Sequence, residues 1–133
     1  IDVPNLTVER CPWSEVTEAA EIAAADVGIG WVPDDPWSRG KCGLKVLQYQ
    51  AAGLPVVANP VGVQSDFVRD GGTGFVATTT EEWVSAIQRL TDPVLRWQLG
   101  GAGRRQVQAE YSVEAGARRW VAALDRLAAR KAG

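Results

Sequence analysis

The sequence predicts an α/β fold in which a parallel sheet is covered by helices. Short apolar runs, such as residues 27–32, have the composition of buried parallel strands. Segments with apolar residues at helical spacing alternate with these runs, which is typical of strands joined by crossover helices. The third observation is the stretch 40–55, in which two glycines open a short amphipathic helix directly after a predicted strand and loop.

Four short strands are predicted. They lie at residues 6–9, 27–32, 55–58 and 75–77. The first is a β-prone run that Pro12 ends, the second and third are continuous apolar runs, and the fourth follows a tight glycine loop. Segment 33–39 contains two prolines and is predicted to be a polar loop.

Helix signals lie between the strands. Ser14 suits the N-cap of a helix that reaches about Ala25, because glutamates follow in its first turn. The helix at 42–52 should end at Gly53, which fits the left-handed position that commonly follows a helix. A further short helix is predicted at 63–70.

In the second half of the chain, Thr79 and Glu82 have the spacing of a capping box and start a helix. Pro93 fits the first position of the next helix, which is expected to break at Gly100 and Gly101. Residues 104–110 are expected to be helical again.

The last predicted helix begins after Ser112, which is expected to cap it. Its apolar residues recur at helical spacing, which predicts a stripe that faces other parts of the protein. The stripe consists of Val113, Ala117, Trp120, Val121, Leu124 and Leu127.

Composition limits the possible functions. The 133 residues suffice for one domain with its own core, and the net charge of −2 gives no electrostatic basis for nucleic-acid binding. With two cysteines and no histidine, neither a disulfide framework nor a zinc site is expected, and the commonest general base is missing. These features predict a cytoplasmic protein without a metal or other cofactor. The chain starts at Ile1, and we expect it to be a piece of a longer protein.

The stretch 40–55 carries the candidate ligand site. A diphosphate at the mouth of the helix would meet the backbone N–H groups of Cys42, Gly43 and Leu44, and the helix dipole would favour its charge. Lys41, Lys45 and Gln48 follow at positions i, i+4 and i+7, which predicts one polar stripe along the helix. The lysines would add positive charge, and Gln48 would hydrogen-bond a sugar hydroxyl. The spacing alone fits equally well with solvated lysines and a surface amide.

A series of spaced motifs extends this interpretation. They are Ala25-Asp26-Val27, Gly43-Leu44-x-x-Leu47-x-x-x-Ala51-x-Gly53-x-Pro55-Val56-Val57-Ala58, Val61-Gly62 and Asp70-Gly71-x-x-Gly74-Phe75-x-Ala77. In this order they resemble the C-terminal half of a retaining, GT-B-fold glycosyltransferase of family 4, and the resemblance covers nearly the whole chain. It implies a Rossmann-like domain over residues 1–133 that binds a nucleotide-diphosphate sugar.

The sequence departs from that family at two positions. The family signature has two glutamates eight positions apart, and Gly40 and Gln48 stand in their places. The resemblance implies that Gly40, Lys41, Cys42, Gly43, Leu44, Lys45 and Gln48 form the donor-binding site, with no catalytic residue in this segment. Gln48 retains an amide that can hydrogen-bond the ribose hydroxyls, whereas Gly40 has no side chain to offer.

The resemblance also implies a sheet of six strands in the order 3-2-1-4-5-6, of which the first two are missing here. The chain is therefore predicted to be a donor-binding fragment, inactive alone, that lacks its N-terminal acceptor domain and has an open sheet edge or one completed by another copy. The implied reaction transfers a sugar with retention of configuration. The alternatives are a non-catalytic nucleotide-binding or assembly domain, and a sugar-nucleotide epimerase, which would need cleft carboxylates that this segment largely lacks. Membrane association, if any, would come from the missing half.

Overall fold

The computed structural model describes residues 4–131 and contains a parallel three-stranded sheet in the order β1-β2-β3. The strands are β1 (Gly28–Gly30), β2 (Val56–Ala58) and β3 (Gly74–Val76). Ile29 is paired with Val57, and Val57 with Phe75. The sequence-based prediction of a parallel α/β sheet is confirmed.

Seven helices within residues 4–131 accompany the sheet. They are α1 (Glu18–Ala23), α2 (Pro36–Arg39), α3 (Leu44–Ala51), α4 (Gln64–Phe67), α5 (Thr80–Arg89), α6 (Pro93–Gln106) and α7 (Val113–Lys131). A π-helical segment, Val107–Tyr111, joins α6 to α7. None of these helices is both long and apolar enough to cross a membrane.

Strand β2 lies at the centre of the core, and all three of its residues are fully buried. Its two faces pack into different apolar clusters. One contains Val57, Phe75, Ala77, Ala86, Leu90 and Leu99. The other contains Val46, Val56, Ala58 and Val68, and it fixes α3 to the sheet through Val46.

Several predicted helix signals are confirmed. Gly53 follows α3 with a φ of +85°, as expected for a left-handed residue after a helix. Thr79 accepts a hydrogen bond from the N–H of Glu82, whose carboxylate accepts one from the N–H of Thr79, which completes the capping box. The oxygen Oγ of Ser112 accepts a hydrogen bond from the N–H of Ala115 at 3.2 Å.

The prediction of a strand at 6–9 is wrong. Leu6 and Val8 are exposed, at 61% and 45%, and this segment contributes no strand to the three-stranded sheet. The helix expected from Ser14 begins only at Glu18. The Ser14 carbonyl instead accepts hydrogen bonds from the N–H groups of Thr17 and Glu18, which forms a turn ahead of the helix.

Segment 33–39 is not a simple loop. Asp35 caps the four-residue helix α2, because its carboxylate accepts a hydrogen bond from the N–H of Ser38 at 2.7 Å and Pro36 takes the first helical position. Asp34 forms a salt bridge with Arg39, with a distance of 2.6 Å between Oδ1 and Nε. Both aspartates therefore hold the connection between β1 and α3.

The expected break at Gly100 and Gly101 does not occur, and α6 runs through both glycines to Gln106. A Cβ atom built at Gly100 would lie 1.9 Å from the carbonyl oxygen of Gly53. Gly100 thus allows α6 to contact the backbone directly after α3. A glycine that allows close packing within a helix and a glycine that ends a helix look alike in the sequence. The pattern around Gly100 therefore did not show which role this glycine has.

The predicted apolar stripe of α7 is not buried. Trp120 is 72% exposed, and Val113, Val121, Leu124 and Leu127 are exposed as well. Within residues 4–131, no other element covers this side of α7. The spacing correctly predicted an amphipathic helix, but its apolar face has no partner in this part of the chain.

We expect Gly100→Ala to lower the free energy of unfolding by about 2 kcal/mol or more, because the added methyl group collides with the backbone of Gly53. Gly101→Ala is the matched control in the same helix. Its Cβ would meet only Arg105 Nη1 at 3.5 Å, so it should be neutral or stabilise by up to about 1 kcal/mol. Urea denaturation followed by tryptophan fluorescence measures both, and equal effects would contradict the close-packing role of Gly100.

Candidate functional site

A cavity of about 460 Å³ opens at the carboxyl end of β1, beside the first turn of α3. Its size is that of a small-molecule site, and its position at the carboxyl end of a parallel strand is where open α/β sheets bind ligands. The lining residues come from β1, from the segment leading into α3, from α3 itself and from the segment after β2. They include Ile29, Trp31, Val32, Lys41, Cys42, Gly43, Leu44, Lys45, Tyr49 and Val61.

Gly43 sets the direction in which α3 begins. Its φ of +64° is left-handed, and a Cβ atom there would lie 2.7 Å from the ring of Phe67. Helix α3 starts at the next residue. Among the described residues, no acceptor binds the backbone N–H groups of Cys42, Gly43 or Leu44. These donors are therefore available at the mouth of the helix, next to the cavity.

A hydrogen-bonded network holds the opposite wall of the cavity. The side chain of Asn59 donates to the carbonyl of Val32 at 2.7 Å and accepts from its N–H at 3.0 Å. Gln64 in turn donates to Asn59 Oδ1 at 3.0 Å. Both amide side chains are buried. They fix the end of β1 against the segment after β2, and Val32 and Gln64 both border the cavity.

Two lysines line the cavity, and the charge of one of them is balanced by an ion pair. Lys41 precedes α3 and is exposed. Lys45 lies in the first turn of α3, and its Nζ is 2.6 Å from Oε1 of Glu18 on α1. The hydrogen bond from Lys45 is the largest cause that lowers the pKa of Glu18 below its usual value, with smaller contributions from the Lys45 charge, Trp13 and Gln48. The Glu18 carboxylate thus stays charged at neutral pH.

The structure brings five of the seven predicted site residues together. Lys41, Cys42, Gly43, Leu44 and Lys45 all line the cavity. Gly40 lies just outside it, at the C-terminal end of α2. Gln48 also lies outside, on the face of α3 that contacts α1, and its Nε2 is 3.4 Å from Oε2 of Glu18.

Sequence reasoning missed the contributions of Trp31, Tyr49 and Glu18. Trp31 follows β1 directly, and its place at a strand's carboxyl end was a signal for a cavity residue. Tyr49 packs over Gly28 of β1, where an added Cβ would lie 2.5 Å from the tyrosine ring. No spacing rule indicates that Glu18, 27 residues before Lys45, faces α3.

Comparison with known proteins identifies the family. A family model described as "Glycosyl transferases group 1" matches residues 14–92, which is more than half of the chain. The chain belongs to the group 1 glycosyltransferases. The match includes the segment that forms the cavity.

Curated relatives of the chain have names of sugar-transferring enzymes. Glucosyltransferase 3 of Streptococcus gordonii is 30% identical over 95 residues, which is 66% of this chain and 28% of that protein. A D-inositol 3-phosphate glycosyltransferase of Actinosynnema mirum is 44% identical over 62 residues, or 44% of this chain and 15% of that protein. The chain thus spans less than a third of the length of these relatives.

Solved structures confirm the predicted fold. A sucrose-phosphate synthase from Thermosynechococcus elongatus superposes with a TM-score of 0.64 at 28% identity, covering 83% of this chain and 27% of that one. The C-terminal domain of a group 1 glycosyltransferase from Francisella tularensis superposes with a TM-score of 0.59 at 16% identity, covering 80% and 53%. The predicted resemblance to the C-terminal half of a GT-B glycosyltransferase is therefore confirmed at the level of the fold.

Gly43→Ala should destabilise the protein more than Gly71→Ala does. Both residues have left-handed φ angles, +64° and +67°, so each alanine costs about 1–2 kcal/mol in backbone strain. The added Cβ at position 43 would also collide with the side chain of Phe67, whereas a Cβ at position 71 would have no atom within 4 Å. The clash should add about 1 kcal/mol or more to the loss in unfolding free energy, measured by urea denaturation. Equal losses would show that Phe67 does not constrain the start of α3.

Proposed function

We propose that the cavity at the start of α3 binds the diphosphate of a nucleotide-diphosphate sugar, and that the chain is the donor-binding part of a retaining glycosyltransferase. One observation carries the proposal: among the described residues, three backbone N–H groups without acceptors lie at the mouth of α3, beside a cavity of small-molecule size that Lys41 and Lys45 line. Membership of the group 1 glycosyltransferases supports sugar transfer in general.

The proposed role of the site is positioning and charge stabilisation. The diphosphate accepts hydrogen bonds from the N–H groups of Cys42, Gly43 and Leu44, at the positive end of the α3 dipole. Lys41 and Lys45 add charge, which favours the diphosphate leaving group more as negative charge develops on it. In this proposal the cavity residues bind and position the donor, and none of them acts as a nucleophile or a general base.

The apolar part of the cavity suits the rest of the donor. Trp31, Tyr49 and Val61 line it beside the polar residues of α3, and a broad apolar wall with few polar groups is typical of ligand cavities. Gln48, outside the cavity, is proposed to hydrogen-bond hydroxyl groups that extend beyond the diphosphate. Gly40 contributes backbone only.

A non-catalytic nucleotide-binding or assembly domain is the second candidate. It is favoured by Gly40 and Gln48, which stand where the family signature has glutamates. Both candidates share the diphosphate site and differ only in whether a sugar is transferred.

The proposed enzyme needs an acceptor-binding half, because the chain spans 28% or less of the curated relatives that it matches. Strand β1 is one of the two edge strands of the described sheet, and Ile29 on it is 50% exposed. A neighbouring strand, from another part of the polypeptide or from a second copy, is proposed to pair with this edge.

Calorimetric titration with uridine, guanosine and adenosine diphosphates tests the diphosphate site. We expect at least one of them to bind, and Lys41→Gln to weaken it by about fivefold or more, since Lys41 supplies a charged hydrogen bond. Arg126→Gln on α7 removes the same charge far from the cavity and should leave the affinity unchanged. Equal weakening by both variants, or no binding to the wild type, would refute the site.

A transfer assay separates the two candidate functions. The intact protein is incubated with the sugar nucleotide of the best-bound base, and release of the nucleoside diphosphate is followed with a panel of acceptors. Release that depends on an acceptor supports the enzyme. Donor binding without release under any of these conditions supports the binding domain.

A further inference from the structure

The ring of Phe67, the last residue of α4, packs against Gly43 at the start of α3. A Cβ atom at Gly43 would lie 2.7 Å from Cε2 of this ring and 3.0 Å from Cγ2 of Val63. Glycine adopts left-handed and right-handed φ angles with similar ease, so the surroundings of Gly43 select its conformation. The Phe67 ring is therefore one of the contacts that fix the left-handed turn before α3.

The backbone of Phe67 is held by two buried glutamine side chains. Its carbonyl accepts hydrogen bonds from Gln50 Nε2 at 2.8 Å and from Gln106 Nε2 at 3.0 Å. Gln50 belongs to α3 and Gln106 is the last residue of α6, so this carbonyl joins the two helices. Because the backbone is fixed in this way, the orientation of the Phe67 ring depends on what packs against the ring itself.

Tyr111 supplies a contact on the Phe67 ring. The two ring centroids are 5.0 Å apart and the ring planes cross at 76°, which is an edge-to-face arrangement. Arg119 of α7 lies over the Tyr111 ring, with its Cζ 5.8 Å from the centroid. The Phe67 ring is thus in contact with Gly43 and with Tyr111, and Tyr111 restrains its movement.

Tyr111 is the last residue of the π-helical segment Val107–Tyr111. Such turns are rare and occur frequently at functional sites. Since π-helical hydrogen bonds run between residues five positions apart, the segment places Tyr111 at a different angle around the helix axis than a continued α-helix would. The segment contacts α3, and Glu110 within it forms a salt bridge with Arg69, with 2.6 Å between Oε1 and Nη2.

We propose that Tyr111 is a positioning residue for the diphosphate site and that it acts through Phe67. Neither side chain is among the described residues that line the cavity. Tyr111 holds the Phe67 ring against Gly43, and the ring holds the glycine in the turn that directs the N–H groups of residues 42–44 to the cavity. This inference rests on the proposed function.

The expected effect of losing Tyr111 follows from the freedom of glycine. Once the Phe67 ring can move away, Gly43 gains backbone conformations that direct the N–H groups elsewhere. Only the fraction of molecules in the left-handed turn binds the anion, so the apparent affinity falls with that fraction.

Calorimetric titration of the full chain with inorganic diphosphate, and with uridine, guanosine and adenosine diphosphates, measures this effect. Tyr111→Leu should weaken binding about three- to tenfold, the affinity equivalent of one edge-to-face aromatic pair. Tyr111→Phe keeps the ring and should bind as tightly as the wild type. Leu90→Ala lowers stability in the apolar cluster on the other face of β2, and it should also keep the wild-type affinity.

A double-mutant cycle tests the route through Phe67. Phe67→Leu alone should weaken binding at least as much as Tyr111→Leu, and adding Tyr111→Leu to it should cause no further loss. In the ligand-free ¹⁵N-labelled chain, Tyr111→Leu should lower the backbone order parameters of Gly43 and Leu44, whereas Leu90→Ala should not.

Additive losses in the cycle, or order parameters and affinity that Tyr111→Leu leaves unchanged, would overturn the inference while the diphosphate site stands. Equal weakening by Leu90→Ala would also overturn it, because lost stability would then explain the effect. If the wild type binds neither inorganic diphosphate nor any of the nucleotides, the proposed function fails, and the inference fails with it.

Discussion

The complete burial of β2 is the constraint on which the rest of the structure depends. Val56, Val57 and Ala58 have no exposed surface, and their two faces contact different clusters. A strand buried on both sides needs helices on both sides, which is why its sequence is continuously apolar. Val46 of α3 belongs to one of these clusters. Burial of β2 thus places the helix whose first turn borders the cavity, and a loss of packing at β2 would move the site as well.

A second constraint acts at the start of α3, where the backbone must turn sharply between the preceding segment and the helix. Gly43 makes the turn in a left-handed conformation against the ring of Phe67. Asn59 holds Val32 from the other side. The backbone N–H groups at the helix mouth are therefore positioned by contacts within the fold. Such preorganisation reduces the conformational entropy that is lost when an anion binds.

The sequence was most informative where local patterns decide the structure. The burial of β2, the left-handed Gly53 and the capping box at Thr79 follow from composition and spacing, and all three are confirmed. It was least informative where tertiary contacts decide. The sequence predicted a helix end at Gly100, but this glycine lies within α6 and allows close contact with the backbone of Gly53. That contact forms only in the folded protein, so no local pattern indicates it. Likewise, the five residues that were predicted from one glycine-led helix and that line the cavity are consecutive in the sequence. Glu18 contacts Lys45 across 27 positions of sequence, and no local pattern indicates that contact.

The central claim is that the backbone at the start of α3 binds a diphosphate. Backbone amide chemical shifts of the ¹⁵N-labelled chain, recorded during titration with a nucleoside diphosphate, test this claim residue by residue. The account predicts the largest shift changes at the N–H groups of Cys42, Gly43 and Leu44, because these donors are unpaired and would gain a charged acceptor. Largest changes in another part of the protein, such as the depression that contains Arg69 and Arg105, would contradict it.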